Sequence, residues 1–232
     1  MHTHTLYLDA ETMLSSDRLT RYRRPSDRHA CDTLARYFWN VGLSEALYPS
    51  LQSAEVALRN GLHRAATQLF KTDLWFDLSR VPFDPFVRNE VASARGALFK
   101  RGKDGIRRPV TAGDIVAELN FGFWTSLTAV QYDRVLWPQL IPVAFPNLPA
   151  PQRKRSVLSG RFRAIKELRN RVFHHEPIWH WKDLEQRHDE LLEAIGWMNS
   201  SWCQSLATMD RFPTVLKQGQ KPYLPPLRAL FP

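Results

Sequence analysis

An all-α fold is what this sequence predicts, and three observations carry the prediction. Apolar residues recur at helical spacing, the alternating apolar–polar runs that make half-buried strands are missing, and prolines punctuate the chain between the periodic stretches. The simplest architecture is a bundle with antiparallel neighbours. With 232 residues, 44% of them hydrophobic, and with eight tryptophans and thirteen phenylalanines, the chain can bury a substantial core, which excludes a disordered protein. Residues 1–27 read as a lead-in, 28–210 as a single helical domain, and 211–232 as a proline-rich tail packed as an extended strap.

Taken in order, the lead-in carries a short helix near Thr12–Tyr22 and then basic Arg21-Tyr22-Arg23-Arg24-Pro25. Asp27 is placed to cap a helix running through Phe38 to Leu43. Next, Leu47, Leu51, Ala54, Leu58, Leu62, Ala65 and Leu69 are spaced by three or four and form one apolar helical face. Glu55, Arg59 and His63, four apart, share a stripe beside it, which reads as a surface Glu–Arg pair with a neighbouring histidine. Pro82 and Pro85 interrupt the pattern, and a helix follows over Pro85–Lys100. The polar, glycine-bearing stretch Arg101–Pro109 is a basic loop. Thr111 or Asp114 starts a further helical run through Leu119 into Phe121-Gly122-Phe123-Trp124, an aromatic patch suited to a packed core or to stacking bases. Gln131–Ile141 continues helically, and Pro142–Pro151 is a turn-rich connector. A basic helix is expected over Gln152–Phe173, and a long final one over Trp181–Met209 with Leu184, Leu191, Ile195, Met198, Trp202 and Leu206 on one face.

Charge and cysteine usage narrow the function classes. Lys plus Arg outnumber Asp plus Glu by 32 to 23, a net charge of +9, which points to a polyanionic partner. The skew concentrates between Arg153 and Arg171, where eight Lys or Arg face one acid, Glu167. Arg153, Lys154, Arg155, Arg161, Arg163 and Lys166 are therefore candidates for gripping an RNA backbone. Cys31 and Cys203 lack the spacing of a zinc site or disulfide framework, so no metal or cofactor is expected and a reducing cytoplasm fits. No apolar run is long enough for a membrane span, and the first residues lack the pattern of a signal peptide.

The chemistry concentrates in Leu168-Arg169-Asn170-Arg171-Val172-Phe173-His174-His175-Glu176-Pro177-Ile178. Arg169 and His174 stand five residues apart, an R-x4-H pattern. Arginine offers a planar fork for a phosphate, and histidine moves a proton near neutral pH. Cleaving RNA with its own 2′-hydroxyl needs both jobs. His174 is the candidate general base for the 2′-hydroxyl, or general acid for the leaving 5′-oxygen. Arg169 would hold the scissile phosphate, and Asn170 would orient His174 or donate to a phosphate oxygen. His175 and Arg171 are secondary candidates. At about 100° per residue, Arg169 shares the apolar sector of Leu158, Phe162, Ile165 and Val172, while His174 lies about 140° further round. Arg169 thus meets either a carboxylate of a neighbouring helix or an anion in a cleft. For both residues to reach one phosphate, the helix must loosen after Phe173, as Pro177 favours, or a second copy must complete the site.

The wording of this stretch resembles the C-terminal signature of the Abi-like (AbiD/AbiF-type) abortive-infection proteins of the HEPN superfamily, whose motif is R-x4-6-H. The likeness extends to Trp39-Asn40 with Leu47-Tyr48, to Glu55-Val56-Ala57-Leu58-Arg59-Asn60, and to Val116–Trp124, covering roughly residues 15 to 205. It implies a HEPN-type helical bundle with extra N-terminal helices. It also implies a metal-independent endoribonuclease that leaves 2′,3′-cyclic phosphate ends and acts in bacterial phage defence or as a toxin. HEPN sites are often composite, built from two protomers or two domains. Arg169, Asn170 and His174 carry over directly. Leu58-Arg59-Asn60-Gly61-Leu62-His63 echoes the motif with one residue fewer between Arg59 and His63, so Arg59, Asn60, His63 and Glu55 either supply a second half-site or brace the first. An RNA substrate, a homodimer, and an antitoxin protein or small RNA are the partners left open. The rival readings are a non-catalytic RNA-binding or assembly module, and a structural dimer with Arg169 in an ion pair.

Overall fold

The computed structural model describes residues 2–79, 81–101 and 109–230, with side chains placed for 7–79, 81–99 and 109–230. Among the described residues there are twelve α-helices and no strand, so the all-α expectation holds. The core of the basic loop, 102–108, lies outside the described residues. The helices gather into two compact units. One takes the chain up to Ser50, Leu168–Asp189, and everything from Leu206; the other takes Leu51–Glu167 and Glu190–Ser205.

In the first unit, α1 (His2–Leu14) and α2 (Ser16–Thr20) precede α3, which runs from Ala30 to Phe70 and contributes its residues through Ser50 here. Asp27 does not cap α3. The Asp32 carboxylate reaches back to the amides of Arg28 (3.1 Å) and His29 (3.2 Å). Asp27 instead receives the Arg24 amide at 3.0 Å, the Thr33 hydroxyl at 2.8 Å and the buried Arg36 guanidinium. The sequence suggested two helices between residues 27 and 69, yet α3 passes through Pro49 without a break. A proline inside a helix costs about 3 kcal/mol, while each buried leucine contributes about 1.5–3 kcal/mol. Leu43 and Leu47 ahead of Pro49, and Leu51 and Leu58 after it, are all buried, so the continuous apolar face outweighs the proline.

The tail is not an extended strap. It forms α11 (Phe212–Gln218), a 3-10 turn (Lys221–Tyr223) and α12 (Leu224–Leu230). Among its described residues, prolines 213, 222, 225 and 226 fall in first turns, where the missing N–H has no helical acceptor to lose. Leu227 joins Leu19, Cys31, Leu34 and Ala35 in one cluster, with Leu14, Tyr223 and Leu224 packed against it.

The second unit begins with α3 from Leu51 onward, whose predicted face is buried at Leu51, Ala54, Leu58, Leu62 and Ala65. After a 3-10 turn at Trp75–Asp77 come α4 (Pro85–Arg101), α5 (Ala112–Glu118), α6 (Phe121–Ser126) and α7 (Trp137–Ala144). Thr111 starts α5 with a reciprocal box, its hydroxyl taking the Asp114 amide while the Asp114 side chain takes the Thr111 amide. Phe121, Phe123 and Trp124 are buried, with the Phe123 and Trp124 rings edge to face at 4.9 Å, so the aromatic patch is core and not a stacking platform. Helix α8 spans Arg155–Phe173. The last long helix expected is two, α9 (Leu184–Met198) and α10 (Ser200–Ala207). Asn199 divides them, because its side-chain oxygen takes the Trp202 amide at 2.9 Å and starts a new helix.

Candidate functional site

The expected site residues cluster at the end of α8, where the helix stops by a specific set of bonds. The His174 amide still donates to the Asn170 carbonyl at 2.9 Å, so helical winding persists up to His174. Reversal comes one residue later, at His175, whose φ is +56°. The His175 amide donates to Val172 O (3.1 Å) and the Glu176 amide to Arg171 O (2.8 Å), which together make a Schellman motif. That position usually belongs to glycine, because a side chain there costs about 1–2 kcal/mol. The Arg171 guanidinium pairs with the Glu176 carboxylate across the same reversal. Arg171 is thereby committed to the turn.

The chain after the reversal is pinned by one side chain. Asn40, buried on α3, accepts the Ile178 amide at 2.7 Å and the Trp179 amide at 3.1 Å on its single side-chain oxygen. Arg18 of α2 donates to the His175 carbonyl at 2.9 Å. The sequence pattern assigned no role to either residue. They lie 138 and 157 positions away from the segment they hold, and no local periodicity signals such a contact.

On this scaffold Arg169 is half-buried, with its guanidinium carbon 4.5 Å from the Phe173 ring centroid. Asn170 is half-buried and His174 exposed, four residues apart and therefore on one side of the helix. With winding intact up to His174, Arg169 and His174 project about 140° apart around α8.

The second echo of the motif, within the other unit, takes separate partners. Arg59 donates to the Ala117 carbonyl at 3.2 Å, and Glu55 sits half-buried a turn before it. His63 Nδ1 accepts the Trp75 indole N–H at 3.0 Å, which places its remaining proton on Nε2. Burial lowers the His63 pKa below its usual value despite the pull of Asp73, so the ring is held neutral. Asn60 is exposed.

The basic residues at the start of α8 fall into two groups. Arg155 donates to the Thr128 carbonyl at 2.8 Å and pairs with Asp133 at 3.3 Å. Arg161 is only 18% exposed, pairs with Glu193 at 2.6 Å, donates to the Glu190 carbonyl at 2.7 Å and stacks over Trp197. Arg153 donates to the Leu148 carbonyl at 3.0 Å. Arg155 and Arg161 brace the fold, whereas Arg153 is exposed apart from that one bond. Lys154 and Arg163 are exposed, and Arg163 and Lys166 line a cavity of about 300 Å³ with Thr125, Ser126, Ser159 and Phe86. Among the described residues, no group of three or more His, Cys, Asp or Glu side chains is gathered to hold a metal ion, and no helix is long and apolar enough to cross a membrane. Comparison with protein families, with curated proteins and with solved structures finds no match for this chain.

Proposed function

We propose that this protein is a metal-independent endoribonuclease of the HEPN type, acting in phage defence or as a toxin. The observation that carries the reading is the exposed imidazole of His174. It stands one turn beyond Asn170, on a reversal fixed by the Schellman bonds, by Asn40 and by Arg18. A proton-transfer group needs such a fixed yet solvent-accessible place. In the proposed reaction, His174 takes the proton from a ribose 2′-hydroxyl and the 2′-oxygen bonds to the adjacent phosphorus. The bond to the 5′-oxygen breaks, and that oxygen leaves with a proton from a second acid, giving a 2′,3′-cyclic phosphate. Asn170 orients the imidazole. Arg163 and Lys166, with exposed Lys154, serve RNA backbone binding. Because the positions of Arg169 and His174 are about 140° apart around the helix, Arg169 meets the phosphate presented by a second copy of the chain, in a composite site.

That angular spacing is also what favours a second reading, an RNA-binding module without cleavage. One assay separates the two: labelled single-stranded RNA incubated with the protein and a chelator. Scission with cyclic phosphate ends is expected, and His174→Ala should slow it by about 10²–10⁴-fold with an unchanged unfolding midpoint, since the side chain is exposed. Binding without scission, or a His174→Ala protein as fast as the parent, removes the nuclease assignment.

A further inference from the structure

Within the first unit, beside the reversal at His175, lies a cavity of about 550 Å³. Its polar lining comes from Arg18, Tyr22, Tyr37, Asn40, Ser44 and His175; Met13, Leu14 and Val41 form the apolar remainder, and no carboxylate takes part. Ser44 has spent its hydroxyl proton on the Asn40 carbonyl at 3.0 Å, but three other groups of the lining keep unused donors. Arg18 uses one nitrogen on the His175 carbonyl and keeps the rest of its guanidinium. Asn40 has committed its oxygen to two backbone amides, so its amide nitrogen is the group left to donate. The Tyr22 hydroxyl is buried with no hydrogen-bond partner in the protein, although the residue is 0% exposed. An unsatisfied buried hydroxyl costs about 1–3 kcal/mol. Burial, with a smaller push from Tyr37, raises the Tyr22 pKa to about 12 against the pull of Arg18 and Arg21, so the group remains a donor at neutral pH. His175 completes the lining at the left-handed position of the reversal.

A concave, acid-free site with one guanidinium, an orphaned hydroxyl, an amide donor and an imidazole is complementary to an oxyanion bearing several acceptors. The apolar wall and the Tyr37 ring give room for a planar group attached to it. We propose that this cavity binds the phosphate of a nucleotide, with Arg18, Tyr22 and the Asn40 amide nitrogen as donors and His175 beside the phosphate. Taking the nucleotide to be part of an RNA rests on the nuclease reading above; the cavity's affinity for a nucleotide phosphate does not. On that reading Arg18 is a cation within the same chain for the imidazole of His175.

The test is calorimetric titration of the full chain with AMP, inorganic phosphate and adenosine. AMP should bind saturably, inorganic phosphate more weakly, and adenosine not measurably. Tyr22→Phe removes only the orphaned oxygen, so it should keep or raise the unfolding midpoint while weakening AMP by about tenfold or more. Arg18→Met should weaken AMP at least as much. Absence of AMP binding at millimolar concentration, an unchanged affinity in Tyr22→Phe, or adenosine binding as well as AMP would overturn the proposal; equal affinity for phosphate and AMP would overturn its nucleotide part. AMP has no phosphodiester to cut, so the outcomes stay separable from the nuclease reading. RNA scission by the parent chain with no AMP binding removes the cavity alone, and AMP binding without RNA scission removes the nuclease alone.

Discussion

Replacing Asn40 by alanine takes away one oxygen and strands two backbone amides. That oxygen accepts Ile178 N–H at 2.7 Å and Trp179 N–H at 3.1 Å, and Asn40 itself is 3% exposed. A buried donor left without a partner costs about 1–3 kcal/mol, so two cost about 2–6 kcal/mol. Ile178 is 0% and Trp179 9% exposed, and the Trp179 bond is the longer of the two, so it carries the smaller share. A value of about 3 kcal/mol follows, the lower half of the range. For a chain of this size that corresponds to a drop in midpoint of about 6–12 °C, read by circular dichroism on heating. Because the bond holds the segment that follows His174 and His175, RNA scission measured well below the midpoint should fall as well, on the order of 10²-fold if the imidazole shifts by an ångström. An Asn40→Ala protein melting within a degree or two of the parent would refute the claim that this side chain anchors the reversal.

Further outcomes are expected. His175→Gly should raise the urea midpoint by an amount equivalent to about 1 kcal/mol, because glycine adopts φ +56° without the steric cost; a lower midpoint would show that the imidazole contributes contacts worth more than the strain. Stability should fall as pH drops below about 6.5. Burial holds the folded-state pKa of His188 below its ordinary value even though Asp210, 3.1 Å away, and Asp189 raise it, and His63 is shifted the same way. The unfolded chain therefore binds protons that the folded chain refuses, and this contribution, full above the ordinary value of 6.5, is lost on acidification. Midpoints measured from pH 8 to 5 with and without His188→Asn check it; an identical slope in both would remove His188 as a source. Arg161→Ala should lower stability by about 1–2 kcal/mol, its partner Glu193 being half exposed, and leave RNA affinity unchanged. Lys166→Ala should do the reverse, weakening RNA binding and reducing its salt slope by about 1.

Much of the chain could be read without coordinates. The apolar face from Leu47 to Ala65, the proline start of α4, the start of α5 at Thr111 and the end of α8 near Phe173 all depend on residues within a few positions of one another. Where local signals misled, burial overrode them: Pro49 did not break α3, and the proline-rich tail wound into helices because Leu227 and Phe212 had an apolar surface to cover. At the candidate site, the cluster Arg169–His175 and its basic approach were visible in the residue order. Charge counting could not tell Arg161, turned onto Glu193 and Trp197, from Arg163 and Lys166, because a guanidinium's partner is chosen in space.

By itself, then, the sequence determined the all-α class, most helix positions, and where arginine, asparagine and histidine crowd together, since each follows from neighbours along the chain. Tertiary structure alone decided that Asn40 and Arg18 fix the reversal, that His175 takes the left-handed backbone, and that an acid-free cavity with an orphaned tyrosine hydroxyl opens beside it. The physical reason is reach. A hydrogen bond spanning more than a hundred residues is selected by the packing of the helices that deliver its two ends, and nothing in the spacing of either end records it.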